Sequence, residues 1–224
     1  MTTFILVPGA GGVAWYWHRV TPILEAAGHE AVAVDLPGDD PKAGLEDYAN
    51  RVVAAIGARG DLILAAQSLG GFTAPLVCER ANVNHLVFVN AMIPLPGERV
   101  GDWGKATGSG EARLEAARQG GYSEEFGEEI YYMHDVAPEV AREAALHDRD
   151  ETETIWAETC DFAAWPGIPI HVIAGADDRL FPLEFQRRVA RERLNRDVDV
   201  LPGGHLIALS HPHELAAQLA SYVR

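Results

Sequence analysis

Six short runs of aliphatic and β-branched residues recur along the chain, at positions 4–7, 31–34, 62–66, 86–89, 170–174 and 198–201. Each is too short for a helix and apolar almost throughout, as strands buried on both faces require. Most are separated by stretches with another rhythm: residues 17–27, 45–58, 70–80, 183–194 and 211–223 place aliphatic side chains three and four apart with charges between. That is the stripe of a helix burying one face. Strands without a polar face cannot leave a side open to water, so the helices must cover both faces of a mostly parallel sheet of about six strands. The expected class is α/β.

The alternation breaks once. Residues 95–165 are acidic and Ala-rich and read as helices at 111–119, 124–133, 138–146 and 151–159, with no strand signal. This predicts a helical cap inserted between two sheet strands and covering the carboxyl edge, with residues 1–94 and 166–224 as the core of a single structural unit. A chain of 224 residues is about one and a half times the usual domain length, which fits one domain with an insertion. Gly and Pro punctuate the strand ends, at Pro8-Gly9-Ala10-Gly11-Gly12, Pro37-Gly38, Pro94-Leu95-Pro96-Gly97 and Pro202-Gly203-Gly204. Ligands of open parallel sheets bind where such loops collect, at the carboxyl ends of the strands.

Charge narrows the partners. The chain has 18 Lys and Arg against 33 Asp and Glu, a formal net charge of −15, and no basic run. Nothing is available to neutralise a phosphate backbone or an anionic membrane, so nucleic acid and membrane surfaces are excluded as expected partners. Cys78 and Cys160 lie far apart without metal-ligand spacing, which argues against a disulfide framework or a zinc site. Met1-Thr2-Thr3-Phe4 carries no basic leader, and no apolar run approaches the ~18 residues of a membrane span. The expected location is the cytoplasm; the oligomeric state stays open, a homodimer included.

The segment richest in chemistry is Ala66-Gln67-Ser68-Leu69-Gly70-Gly71. A buried-strand signal ends at Ala66, Ser68 falls on the turn, and small residues at 66, 70 and 71 let strand and helix approach closely. A strained strand-to-helix turn that lifts a hydroxyl to the top of a sheet has this requirement. Taken alone, the pattern equally fits a Ser N-cap before an ordinary helix. Of the serines at 68, 109, 123, 210 and 221, only Ser68 has strand before it, helix after it and glycine two residues on. A serine hydroxyl needs a positioned base, itself oriented by a third group. Leu201-Pro202-Gly203-Gly204-His205 supplies a histidine after the last strand, and Gly175-Ala176-Asp177-Asp178 supplies two carboxylates after the one before it. The order Ser, acid, His is that of α/β-hydrolases and differs from the two protease orders.

Over nearly its whole length the sequence resembles the α/β-hydrolase superfamily. It looks most like the small bacterial esterase-like members related to plant methyl esterases and hydroxynitrile lyases. The resemblance rests on Leu6-Val7-Pro8-Gly9-Ala10-Gly11-Gly12 with Trp15 and Trp17, on Asp35-Leu36-Pro37-Gly38, on the Ser68 turn, on Gly175-Ala176-Asp177-Asp178 with Phe181-Pro182, and on Gly203-Gly204-His205. It implies Ser68 as nucleophile, His205 as general base and Asp178 as its orienting acid. Asp178 is preferred to Asp177 because the family's acid usually falls three residues after this glycine. It also implies the backbone N–H groups of Ala10 and Leu69 as oxyanion donors, with no cofactor and no metal. Gly9-Ala10-Gly11-Gly12 lacks the G-x-G-x-x-G spacing of a dinucleotide loop.

Two positions depart from the family. Pro8 stands where many relatives carry His, and Leu206 stands where the lyase branch carries Lys after its histidine. Without that charge, cyanide departure loses its electrostatic partner. Hydrolysis of a small, fairly apolar carboxylic ester is therefore the leading expectation. Lyase-like or other non-ester chemistry on the same triad, or a small-molecule sensor with slow turnover, are the alternatives. Candidate substrate-pocket residues are Gly9, Tyr131, His134 and Leu206. Trp15, Trp17 and Phe72 are expected in the core, Asp35 in its turn, and His211 and His213 at a helix start rather than on a metal.

Overall fold

The computed structural model describes residues 1–223. Its strands are β1 (Thr3–Val7), β2 (Glu30–Ala33), β3 (Leu62–Gln67), β4 (Val83–Val89), β5 (Glu98–Arg99), β6 (Thr159–Cys160), β7 (Ile170–Gly175) and β8 (Asp199–Leu201). Six of them, each matching one of the apolar runs, form a sheet in the order β2-β1-β3-β4-β7-β8. Every neighbouring pair is parallel.

The helices are α1 (Thr21–Ala26), α2 (Leu45–Ile56), α3 (Gly70–Cys78), α4 (Trp103–Thr107), α5 (Ser109–Gly120), α6 (Glu128–Tyr131), α7 (Pro138–Ala144), α8 (Glu153–Ala157), α9 (Leu183–Leu194), α10 (Ile207–Ser210) and α11 (Pro212–Ser221). Because successive strand residues point to opposite faces, the apolar runs feed two separate cores. Ile5, Val7, Leu64, Ala66 and Phe88 pack with α2, α3 and α9. Phe4, Leu6, Ile63, Ala65 and Val87 pack with Trp17, α1, α10 and α11.

The chain runs from β1 to β2 on one side and returns to β3 on the other, so the connections diverge between β1 and β3. Such a switch point opens a crevice at the carboxyl edge. The loops that flank it carry Gly9-Ala10-Gly11-Gly12 and Ser68.

The insertion differs from the sequence expectation. β5 and β6 pair antiparallel, Glu98 with Cys160 and Arg99 with Thr159, tying its two ends together. Two-residue strands leave no periodicity to read. The stem is braced by the almost buried pair of Arg193 and Glu98, with a second bond from Arg193 Nη2 to Glu98 Oε1 at 2.9 Å. The helix expected at 124–133 shortens to α6, because α5 ends at Gly121 in a left-handed conformation (φ +69°) and irregular chain runs on to Gly127. α4 was not expected; it buries Trp103 against Phe181 and Phe185, and the indole N–H donates to the Ile93 carbonyl at 3.0 Å.

Candidate active site

Ser68 follows β3 directly and holds a left-handed backbone (φ +48°), which a residue with a side chain seldom adopts. Its own backbone is fixed on several sides. Ser68 N–H donates to Val89 O at 3.3 Å, and its carbonyl accepts from Gly71 N at 3.1 Å and Met92 N at 2.9 Å. The glycines after it are a packing requirement: a Cβ on Gly70 would sit 2.4 Å from Pro8 O, and one on Gly71 only 1.9 Å from Met92 O. Ser68 is not a helix cap. The cap position of α3 is Leu69, and Ser68 Oγ instead lies 3.1 Å from His205 Nε2.

His205 is 2% exposed. Asn90, at the end of β4, pins its loop to the sheet: Nδ2 donates to Gly204 O at 2.9 Å and His205 O at 3.0 Å, while Oδ1 accepts from Gly175 N at 2.7 Å. The far ring nitrogen, Nδ1, lies 2.9 Å from Asp178 Oδ2. Asp178 is buried, and its carboxylate also accepts from Leu180 N and Phe181 N, each at 2.9 Å, and from Gln186 Nε2 at 3.2 Å. A carboxylate can only accept, so it holds the imidazole proton on Nδ1 and leaves the Nε2 lone pair facing Ser68. Asp177 is exposed and contributes its backbone N–H to Gly203 O at 3.0 Å. The structure thus sets Asp178 in line with His205 and Ser68, and turns Asp177 away.

The loop after β1 lies against this line. A Cβ on Gly9 would meet Gln67 Oε1 at 2.4 Å and Ser68 Cβ at 2.9 Å. The backbone N–H groups of Ala10 and Leu69 have no acceptor among the described residues. A cleft of about 310 Å³ opens here, and Gly9, Ala10, Ser68, His205 and Leu206 line it.

Tyr131 and His134 do not line the cleft, contrary to the sequence expectation. Tyr131 is fully buried inside the cap, with its hydroxyl donating to Ser123 O at 2.6 Å. Its neighbour Tyr132 faces the cleft, with its ring centroid 5.5 Å from that of His205. Consecutive helical residues point about 100° apart, so a one-residue error chooses the wrong tyrosine. His134 packs behind the His205 loop, its ring carbon 2.7 Å from where a Gly204 Cβ would be. Burial, and then Arg179, push its pKa below the usual histidine value.

Trp15 is corrected in the other direction: it lines the cleft, stacked between His18 at 4.0 Å and His147 at 4.8 Å. The reason is a 3-10 turn over Ala14–Trp17 that buries Tyr16 and Trp17 and turns Trp15 outward. Trp17 and Phe72 are core residues, and Asp35 accepts from Ala14 N at 3.0 Å in its turn. His211 Nδ1 lies 3.0 Å from Ser210 Oγ, and His213 is exposed.

Several polar residues at the site were missed. Gln67, buried beside Ser68, places Nε2 3.3 Å from His205 Nε2. Asn90 closes an apolar strand at the carboxyl edge, a signal that could have marked it. From the cap, Asp135 Oδ2 accepts from Gly204 N at 2.6 Å and Glu151 Oε2 accepts from Gly11 N at 3.0 Å. Glu151 has no sequence signature; Asp135 stands in the segment Tyr131-Tyr132-Met133-His134-Asp135, whose aromatics and titratable pair mark it as a candidate pocket segment.

A family model described as "Alpha/beta hydrolase family" matches residues 4–218. The chain belongs to the α/β-hydrolase family. Within it, the chain is 36% identical over 110 residues to "Probable esterase PIR7A" of Oryza sativa subsp. indica, a span of 44% of this chain and 42% of that protein. It is 36% identical over 104 residues to "Methylesterase 7" of Arabidopsis thaliana, covering 41% and 40%. The matches therefore span about two fifths of the curated relatives' length. Among solved structures, an extracellular alpha/beta-hydrolase from a Paenibacillus species superposes with a TM-score of 0.81 at 20% identity, over 100% of both chains. A pyrethroid hydrolase from Sphingobium faniae JZ-2 gives 0.77 at 23% identity, over 99% of this chain and 97% of its own. At these identities the structures speak for the fold.

Proposed function

We propose that this α/β-hydrolase is a serine esterase that cleaves small, fairly apolar carboxylic esters through an acyl-enzyme. The observation that carries the reading is the hydrogen-bonded line from Ser68 Oγ through His205 to Asp178, at 3.1 Å and 2.9 Å. His205 Nε2 takes the Ser68 proton as the oxygen attacks the ester carbonyl, and Asp178 stabilises the imidazolium that forms. The oxyanion rests on the Ala10 and Leu69 amides, whose donors are preorganised and free. His205 then returns the proton to the departing alcohol, and water, activated by the same nitrogen, releases the acid.

Val13, Tyr16, Met133, Leu206 and Leu209 give the cleft an apolar wall suited to an apolar acyl or alcohol group, while Glu128, Asp148, Arg149, Asp150 and Glu151 also line it, a mainly acidic set that disfavours anionic substrates. Leu206 offers no charge to a departing cyanide, which favours ester hydrolysis over cyanohydrin cleavage. The relatives' names, esterase and methylesterase, point the same way.

The test is intact-mass spectrometry after exposure to a fluorophosphonate, beside a panel of short-acyl esters. A single adduct on the wild type, none on Ser68→Ala, and a roughly 10⁵- to 10⁶-fold loss of turnover in that variant are expected. No adduct on either protein would overturn the reading and favour a small-molecule-binding role.

A further inference from the structure

The Ala10 amide can serve as an oxyanion donor only if its loop is held still, yet Gly9, Gly11 and Gly12 surround it. Glycines resist fixing because they have the most conformational freedom to lose. The loop makes few main-chain bonds of its own, from Gly12 N to Gly9 O at 3.1 Å and from Leu36 N to Gly12 O at 2.8 Å. The core packs closely against Gly9 and Gly12, and the side-chain bond to the loop's Gly11 amide comes from the cap.

Residues 149–154 of the cap lie across the loop. Glu151 Oε2 accepts the Gly11 N–H at 3.0 Å, and its Oε1 accepts the Tyr48 hydroxyl from α2. Gly11, at φ +78°, is so closely covered that a Cβ there would fall 2.1 Å from the Arg149 carbonyl oxygen. The same segment is fastened beyond the loop. Arg149 Nη2 donates to Asp35 Oδ1 at 2.9 Å, Thr152 N to Gly38 O at 3.0 Å, and Thr154 Oγ1 to Pro41 O at 2.7 Å. Burial raises the pKa of the Glu151 carboxyl, while the bonds from Tyr48 and Gly11 pull it down. Burial outweighs those bonds, so the carboxyl group sits above its usual range, with both oxygens engaged.

We propose that Glu151 is a positioning residue of the oxyanion site: from the cap, its carboxylate holds the Gly11 amide and so aims the adjacent Ala10 N–H. The inference rests on the esterase reading. A donor aimed at the oxyanion acts on the tetrahedral state and not on the bound ester, so its misplacement lowers kcat and leaves KM nearly unchanged.

Two substitutions separate reach from charge. Glu151→Gln keeps the chain length and an amide oxygen for Gly11, and Tyr48 can accept from its NH₂ group. Glu151→Asp keeps the charge and withdraws it by one methylene. Steady-state hydrolysis of p-nitrophenyl acetate by the full chain is the assay, with thermal melts to confirm folding. Glu151→Asp should lose about tenfold in kcat with KM within about threefold, while Glu151→Gln should retain at least about a third of wild-type kcat. The reverse ranking, or a rise in KM at constant kcat, would identify a charge contacting substrate and overturn the inference. Wild-type kcat in Glu151→Asp would overturn it too. If the wild type hydrolyses neither this ester nor the panel, the esterase reading itself falls.

Discussion

On the sheet side of the cleft, Ser68 and Asp178 hang from main chain that their neighbours hold. Ser68 is tied to Val89 and Met92, and Asp178 is wrapped by the amides of Leu180 and Phe181. On the cap side, the loops that carry His205 and Ala10 are gripped by side chains, Asp135 on Gly204 and Glu151 on Gly11. Main-chain bonds persist through most substitutions, whereas a carboxylate grip ends with one change of residue and responds to pH. The sheet therefore fixes what the site can do, and the cap adjusts how well it does it.

The sharpest break in that comparison lies in the two adjacent acids. Asp178→Asn should lower kcat by roughly 10³- to 10⁴-fold by disturbing the tautomer of His205, while Asp177→Asn should stay within about twofold of wild type. Comparable losses in both would mean that the loop, and not the Asp178 carboxylate, orients the imidazole.

The His205 loop is held from both sides, so it allows a direct contest. Asn90→Ala strips acceptors and donors from Gly175, Gly204 and His205 in the buried sheet edge and should cost about 2–4 kcal/mol in urea unfolding. Asp135→Ala removes one bond at the cap boundary and should cost about 1–2 kcal/mol, with a several-fold fall in kcat. A larger cost at Asp135 would reverse the assignment of rigid and adjustable sides.

The smallest effect concerns pH. His134 meets Asp135 on the cap and Arg179 and Asp178 on the core, and its folded pKa lies below the ordinary value. Its contribution to stability is thus complete above about pH 6.5 and is lost as pH falls through the lower folded value. His134→Gln carries no proton to gain, so its melting temperature should drop less than the wild type's between about pH 7 and pH 5. Parallel drops would remove His134 from the acid sensitivity of the cap.

What could be read from the sequence divides along the same boundary. The four central strands β1, β3, β4 and β7 were legible because they are largely buried and therefore apolar along most of their length, while the edge strands β2 and β8 are only partly buried and were read from their short aliphatic runs. The meeting of Ser68 with a downstream acid and His205 followed from their places at strand ends. The choice between Asp178 and Asp177 rested on family resemblance; the structure supplies the physical difference, two backbone amides and a glutamine around one carboxylate and solvent around the other. In the cap, the helices read at 111–119, 138–146 and 151–159 are present as α5, α7 and α8, whereas α4, α6 and the two-residue strands β5 and β6 are too short for periodicity to act on. Glu151 is one of 33 acidic residues, and nothing local sets it apart. Tyr132 and Trp15 were lost to local geometry, one residue of helical rotation and one 3-10 turn.

The ladder between Glu98–Arg99 and Thr159–Cys160 brings the chain into and out of the cap through one narrow stem, with Trp103 and Ile155 buried at its base. Between those two anchors lies a roof that enters and leaves by one post and is fastened again to the room beneath at Asp35, Gly38, Pro41 and Gly204. None of the six strands of the large sheet lies inside that roof, so a change in its length need not alter the register of any of them. In this chain, new selectivity can come as a replaced cassette, provided the replacement again brings an acceptor to Gly11 and another to Gly204.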